Sequence, residues 1–229
     1  MALTRSSRAI DPARALCSTA FQPVRDLRSR AIVGRQSLLR VQDGALPVDV
    51  QALFRDADPD ALLAWNVRAA ESALRDVRAL PPAGWLMLKV DASVGRAALA
   101  AIARAADAGG VARDQVVIEV RFTKVGGTAG ADALATLAAA NAQRFRTAVA
   151  AVDDPRRLLP FLVAAEIVKL DRSLVHTDRE ADLAEVLRTA KDAKLPTLAF
   201  GIETADEAER ARALGITWGQ GHHLGLPES

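Results

Sequence analysis

The stretch LAFGIET, residues 198–204, carries an apolar run into the start of a helix pattern. The run from Leu195 to Phe200 is typical of a buried strand, Gly201 of a turn and Thr204 of a helix N-cap. In folds built from such units, the residue at the carboxyl end of the strand faces the active site. Here that residue is Phe200, which can neither bind a metal ion nor accept a proton.

Other reactive residue types give catalysis little support. Cys17 is the single cysteine, so the chain cannot form an internal disulfide or an all-cysteine zinc site. His222 and His223 are adjacent, and adjacent side chains of a strand point to opposite faces, so one ion is not readily held by both. The sequence contains no G-x-S-x-G, P-loop or H-E-x-x-H motif, so those hydrolase, NTPase and zincin classes have no motif support.

The bulk composition narrows the class of partner. Half of the 229 residues are apolar, and 30 Lys+Arg nearly balance 28 Asp+Glu. The basic residues are mostly dispersed arginines without interleaved aromatics, which argues against a nucleic-acid polymer as partner. No apolar run approaches the length of a membrane span, and the N-terminus lacks the apolar segment of a secretory signal. We therefore expect a cytoplasmic protein with no membrane contact.

Strand-like runs alternate with alanine-rich helical runs along most of the chain. Residues 1–18 are interpreted as a helical or frayed lead-in, and residues 19–229 as one domain. The predicted strands are Ala20–Arg25, Ile32–Val41, Trp85–Asp91, Val116–Arg121, Thr147–Val152, Glu166–Leu170, Thr197–Phe200 and Thr217–Gly219. The predicted helices are Ala61–Leu80, Ala97–Ala108, Ala131–Gln143, Arg156–Ala164, Ala181–Ala193 and Ala205–Leu214.

This alternation predicts an α/β fold of the (β/α)8, or TIM, barrel type. The first two strands are separated by a turn at residues 28–30, which is too short for a crossover helix. They should therefore form an antiparallel hairpin.

Four separated stretches resemble one family in the same order. FQPVRDLRSRAIVGRQSLLR resembles the opening of EAL-domain cyclic-di-GMP phosphodiesterases, and VVIEVRF resembles their LEITE strand. IVKLDRSLV resembles ILKIDRSFV, and LAFGIETADEAERARALGITWGQGHHLGLP resembles the stretch from the AEGVET motif to the QG motif and its closing proline. The resemblance, over about residues 18–227, implies a modified TIM barrel with one antiparallel strand. It also implies hydrolysis of cyclic-di-GMP with two Mg²⁺ or Mn²⁺ ions and a glutamate as general base.

Several catalytic positions implied by the resemblance carry residues that cannot do this chemistry. The glutamate of the EAL motif corresponds to Gln36, the metal-binding asparagine to Lys89, the second glutamate of EITE to Phe122, and the presumed base to Phe200. An amide binds Mg²⁺ poorly, and an ammonium repels it. The resemblance therefore predicts a degenerate, non-catalytic member that holds no metal or other cofactor.

Some positions of the family pattern are retained. Glu119, Lys169 and Gln220 match it, and Asp153 and Asp154 match its acidic pair. The resemblance implies a deletion of about five residues of a Gly-rich loop after Asp154, next to the region through which EAL domains commonly dimerise. A weak residual phosphodiesterase would need Glu119, Asp153 and Asp154 to hold a cation and Gln220 to orient water.

Two regulatory roles follow from these losses. The leading hypothesis is a regulatory domain in bacterial second-messenger signalling that contacts an unidentified protein, and a homodimer stays open. The alternative is a metal-independent cyclic-di-GMP receptor, in which Lys89 and Lys169 replace the metal ions and Phe122 and Phe200 offer an apolar face for guanine. The resemblance places further ligand contacts at Gln22, Pro23, Leu39, Arg40 and Pro227. These residues have a structural alternative, in which Gln22 and Pro23 shape the strand, Arg40 pairs with Glu119 or Asp153, and the phenylalanines fill space.

Overall fold

The computed structural model describes residues 10–44, 46–81, 84–121, 129–152, 159–176 and 179–229. Its nine strands are β1 (Leu16–Asp26), β2 (Ile32–Asp43), β3 (Leu46–Pro47), β4 (Trp85–Asp91), β5 (Val116–Arg121), β6 (Arg146–Val152), β7 (Ile167–Leu170), β8 (Thr197–Phe200) and β9 (Trp218–Gln220). They form one sheet in the order β1-β9-β8-β7-β6-β5-β4-β2-β3, and a β1–β2 pairing closes it. The fold is thus a closed barrel of the TIM type with β3 as an extra strand on β2, which confirms the predicted fold class.

The first strand runs against its neighbours, as predicted for the hairpin. β1 is antiparallel to both β2 and β9, whereas the other pairings around the barrel are parallel. At the hairpin turn the Asp26 carboxylate accepts hydrogen bonds from the Arg28 and Ser29 backbone N–H groups and from the Ser29 hydroxyl. The Ser29 backbone bond is the main reason that the pKa of Asp26 lies below its ordinary value. These local bonds favour the tight reversal that the short turn requires.

Helices cover the outside of the barrel. They are α1 (Val50–Arg55), α2 (Pro59–Asp76), α3 (Gly95–Gly109), α4 (Ala129–Ala142), α5 (Arg172–His176), α6 (Glu180–Asp192) and α7 (Ala205–Ala213). The longest, α2, begins where the Asp58 side chain accepts from the Ala61 N–H, and Pro59 occupies its first turn. α7 begins with a capping box in which Thr204 and Glu207 exchange hydrogen bonds. Within the described ranges, no helix is long and apolar enough to cross a membrane.

The apolar core has an inner part and an outer part. Inside the barrel, at the end opposite the strand carboxyl termini, the Trp85 and Trp218 rings lie 5.5 Å apart and pack with Val24 and Met87. A larger cluster lies between the strands and the surrounding helices. The helices therefore hold the strands from outside. Inside the barrel, polar side chains lie near the carboxyl ends of the strands.

The β1–β2 hairpin extends past the barrel as a ribbon with a small core of its own. The last barrel pairing of β2 with β4 is at Gln36, but β1 and β2 stay paired out to Leu16 and Gln42. Val41 on one face of the ribbon packs against Trp65 of α2. The opposite face is left directed over the barrel opening, because successive side chains of a strand alternate.

The structure differs from the predicted elements in several places, and helices α1 and α5 were not predicted. β1 begins at Leu16, so residues 16–18 belong to the barrel ribbon and not to a helical or frayed lead-in. The two-residue β3 was not predicted, because Leu46–Pro47 is too short to show a period. The predicted helix Arg156–Ala164 is wrong over its described part, where residues 159–161 form one 3-10 turn. Two of its residues, Leu159 and Val163, are exposed.

Candidate functional site

Three polar side chains meet inside the barrel near the carboxyl ends of its strands. Gln36 comes from β2, Glu119 from β5 and Lys169 from β7, and each residue is no more than 3% exposed. The Lys169 ammonium donates to Glu119 Oε2 at 3.0 Å and to Gln36 Oε1 at 3.1 Å. Gln36 Nε2 also donates to Glu119 Oε2, at 2.5 Å. We call these three residues the buried triad.

The triad neutralises its own charge. Desolvating a carboxylate or an ammonium costs several kcal/mol, and an adjacent opposite charge with hydrogen bonds offsets that cost. The ion pair of Glu119 with Lys169 provides this, with side chains only 3% and 4% exposed. Gln36, as an amide, is able both to donate to the carboxylate and to accept from the ammonium. A glutamate at position 36 would instead place a second negative charge beside Glu119.

Phe200 covers the ammonium of the triad. The Lys169 Nζ lies 5.1 Å from the centre of the Phe200 ring, within the range of a cation–π contact. Phe200 is half-buried at the end of β8, as its place in the sequence predicted. The ring therefore shields Lys169 on one side and leaves no base at the end of this strand.

A second polar pair lies at the closure between β1 and β9. Gln220 Nε2 donates to Gln22 Oε1 at 3.1 Å, and Gln22 Nε2 donates to the Gly225 carbonyl at 3.3 Å. Gln220 is 2% exposed, and its Oε1 has no hydrogen-bond partner among the residues that the structure describes. The side chain of Gln22 is thus committed to holding the C-terminal segment against β1.

Two cations stand at the rim of the barrel opening. Lys89 is exposed and follows two residues after Met87, whose sulfur contacts Gln36 inside the barrel, so both side chains leave β4 on the inner side. Arg40 is exposed on the ribbon and donates only to the Leu39 carbonyl, at 3.4 Å. Neither residue forms an ion pair within the described part of the chain. The suggested pairing of Arg40 with Glu119 is therefore not found.

The other predicted contacts have roles in the fold. Leu39 lies on the α2 side of the ribbon and packs on the Val41–Trp65 cluster, so it does not join the triad. The Pro23 ring is buried and lies against Gly225, where an added Cβ would come within 2.3 Å of it. Pro227 is half-buried beside Glu228, whose backbone pairs with Phe21 of β1. Phe122, Asp153 and Asp154 lie outside the described residues.

Asn66 is a positioning residue that the sequence did not single out. It is 1% exposed in α2, donates to the Leu62 carbonyl and accepts the backbone N–H of Asp91 at 2.9 Å. It thereby fixes the end of the strand that carries Lys89. The sequence signal that could have identified Asn66 is a polar residue within the apolar stripe of a predicted helix.

The described residues at this end do not fit a divalent cation. Mg²⁺ and Mn²⁺ prefer carboxylate oxygens, and the carboxylate of Glu119 already accepts from an ammonium and an amide. Across the described ranges, no three His, Cys, Asp or Glu side chains are grouped so that they could hold a metal ion. Among the described residues, the Glu119 carboxylate is held in an ion pair with the Lys169 ammonium.

The closed barrel, with its reversed first strand and a polar site at the strand carboxyl ends, defines a modified TIM-barrel protein. A model of the EAL domain family matches residues 6–227, so the chain belongs to the EAL domain family and is related to cyclic-di-GMP signalling proteins. A search of curated proteins finds no match.

Solved EAL structures have the same fold. The standalone EAL protein from Vibrio cholerae O395, with cyclic-di-GMP bound, is 18% identical with a TM-score of 0.78, and the match covers 94% of each chain. Klebsiella pneumoniae BlrP1, in a calcium and cyclic-di-GMP complex, is 20% identical with a TM-score of 0.79, over 99% of this chain and 60% of that one. The EAL enzyme Bd1971, with cAMP and cyclic-di-GMP bound, is 16% identical with a TM-score of 0.78, over 93% of this chain. The match spans 62% of the Bd1971 chain.

Proposed function

We propose that this protein is a non-catalytic EAL domain that acts in cyclic-di-GMP signalling through contact with a protein partner. The observation that carries the proposal is Gln36 in the buried triad, where an amide stands at the position of the EAL glutamate and donates a hydrogen bond to the Glu119 carboxylate. Hydrolysis of a phosphodiester by metal ions requires the carboxylates to hold cations that activate water and neutralise the phosphate. Here the carboxylate is neutralised by the chain itself.

The absence of a base at the end of β8 supports the same conclusion. A positioned general base contributes typically about 10²–10⁴-fold to a rate, and the Phe200 ring cannot supply one. A signalling domain that does not hydrolyse a nucleotide can act only by binding another molecule. Its described surface exposes several large apolar side chains, among them Leu159 and Val163, which favours a protein as that ligand.

Purified protein is expected to release no linear dinucleotide from cyclic-di-GMP when Mn²⁺ is in large excess. Chromatography of the nucleotides after prolonged incubation measures this, with a hydrolytically active EAL domain in the same buffer as the positive control. Turnover that disappears in the Glu119→Gln variant would overturn the proposal, because it would show a working, rearranged metal site.

A metal-independent cyclic-di-GMP receptor is the second candidate, and it is favoured by the rim cations Arg40 and Lys89, which form no ion pair with any residue that the structure describes. An exposed guanidinium without a carboxylate partner is free to bind a phosphate oxygen in a bidentate manner. The structures of the Vibrio cholerae protein and of BlrP1 hold cyclic-di-GMP. Binding here would use Arg40, Lys89 and the Lys169–Phe200 surface in place of metal ions.

For this candidate, calorimetric titration is expected to give the same cyclic-di-GMP affinity in EDTA and in Mg²⁺. Arg40→Ala should weaken that binding about tenfold or more, since a charge-assisted hydrogen bond contributes about 1.5–3 kcal/mol. Arg14→Ala, an exposed arginine of the N-terminal segment, is the matched control and should bind as the parent does. If Arg40→Ala binds with parental affinity, Arg40 is not part of the nucleotide site. If the parent protein binds in neither buffer, the receptor hypothesis is wrong.

A further inference from the structure

A groove of about 470 Å³ lies on the outside of the barrel, between the 3-10 turn Leu159–Phe161 and helix α6. The turn leads into the amino end of β7, and the last residues of α6 lead into the amino end of β8. The groove is therefore on the flank of the barrel, towards the end opposite the triad and the rim cations. Its occupant would not compete with a nucleotide at the barrel opening.

One wall of the groove is apolar and exposed. Leu159, which is 57% exposed, and Leu162 line the groove, and Val163, which is 85% exposed, follows Leu162 and extends the apolar surface outside the lining. Phe161, between them, is buried and anchors the turn in the core. Covering an exposed leucine or valine contributes about 1.5–3 kcal/mol at full burial, so this wall favours a contact that removes it from water.

The other wall is a charged stripe of α6. Glu185, Arg188 and Asp192 line the groove at spacings of three and four residues, which places them one above another on the same helix face. Arg188 and Asp192 form an exposed ion pair at 3.4 Å. Glu185 has no salt bridge within the described part of the chain, so this wall keeps one net negative charge.

We infer that this groove docks an amphipathic helix of the partner protein, with an apolar face on Leu159 and Val163 and basic side chains opposite Glu185 and Asp192. Glu185 and Asp192 are seven residues, or about two helical turns, apart on α6. Two basic residues seven positions apart on the partner helix would match this spacing. Two copies of this chain fit less well, because a two-fold pairing would leave acidic groups of both copies in surplus. The inference rests on the proposed function and adds the site and the chemistry of the partner.

A pair of synthetic peptides tests this inference. Both are fluorescein-labelled, carry one apolar stripe and are roughly 15 residues long, near the minimum for an isolated helix. One has arginines at two positions seven residues apart, and the other has glutamates there. Fluorescence anisotropy with the full chain is expected to show at least about tenfold tighter binding of the arginine peptide, equivalent to about 1.4 kcal/mol.

Substitutions at the groove test whether the peptide binds there. Val163→Asp and Glu185→Arg should each weaken binding of the arginine peptide about fivefold or more, and both residues are exposed, so the fold is retained. Leu46→Asp, on the distant ribbon, is the matched control and should bind as the parent does. Equal affinity for the two peptides, or parental affinity of both groove variants, would overturn the inference.

Sedimentation of the parent and of Val163→Asp separates this inference from self-association. A parental dimer that Val163→Asp converts to a monomer would assign the groove to a second copy and overturn the inference. The nucleotide assay is independent of both results. Hydrolysis would refute the proposed function whatever the peptides do, whereas failure of the peptides alone would leave a non-catalytic domain with its contact surface elsewhere.

Discussion

Replacing Lys169 with methionine is expected to lower the free energy of unfolding by about 3–5 kcal/mol, the cost of leaving a buried charge without its counter-ion. The affected group is Glu119, which is 2% exposed and would lose the ammonium at 3.0 Å. Methionine retains most of the lysine volume, so the loss would arise from charge and not from a cavity. Urea denaturation followed by circular dichroism measures it.

Two further variants make the result specific to the triad. Lys89→Met removes an exposed lysine near the same barrel end and should change the free energy of unfolding by no more than about 0.5 kcal/mol. The double variant Lys169→Met/Glu119→Gln should be more stable than the sum of the two single losses implies, by about 0.5–3 kcal/mol. Strictly additive losses, or a Lys169→Met variant as stable as Lys89→Met, would contradict the account of a self-neutralised site.

Gly221→Ala is expected to cost about 3 kcal/mol or more, or to prevent cooperative folding. A Cβ at this position would lie 2.0 Å from the Ile202 carbonyl oxygen and 2.3 Å from its nitrogen. That backbone cannot shift freely, because the Ile202 N–H donates to the Gln220 carbonyl and its carbonyl accepts from the His223 N–H. The methyl group would therefore separate β8 from β9 where the barrel closes.

Gly130→Ala is the matched control for this substitution. Gly130 lies in α4, and an added Cβ would meet no atom within 4 Å. Alanine there should be neutral or stabilising by up to about 1 kcal/mol, because it has the higher helix propensity. Thermal or urea unfolding of both variants gives the comparison. A Gly221→Ala transition within about 1 kcal/mol of the parent would show that the backbone of Ile202 is free to move.

The Gly221 geometry gives a structural reason for one retained part of the family pattern. The glycine is needed for the close approach of two backbones, and Pro23 for its packing on Gly225. The Gln22 side chain holds the segment around Gly225 through its carbonyl. These positions therefore serve the closure of the barrel, and their retention does not by itself indicate nucleotide binding.

Much of the fold follows from local patterns in the sequence. Apolar runs bounded by turns predicted all eight barrel strands, and those of β4, β7 and β8 are nearly continuous because these strands are buried on both faces. The short turn at residues 28–30 allowed only an antiparallel hairpin. Phe200 was placed correctly at the end of β8, since the strand, turn and helix cap around it are all local signals.

Tertiary structure alone decided how the candidate site is arranged. Lys169 meets Gln36 across 133 residues and Glu119 across 50, and barrel closure and strand register bring them together, which no local pattern encodes. The same register turned Leu39 towards α2 and left Arg40 exposed on the ribbon. Residues 159–164 had a helical composition but form a turn with exposed apolar side chains, because burial against the barrel and not propensity fixes a helix. The sequence by itself determined which residues stand at the strand ends, and the packed barrel determined which of them neutralise one another.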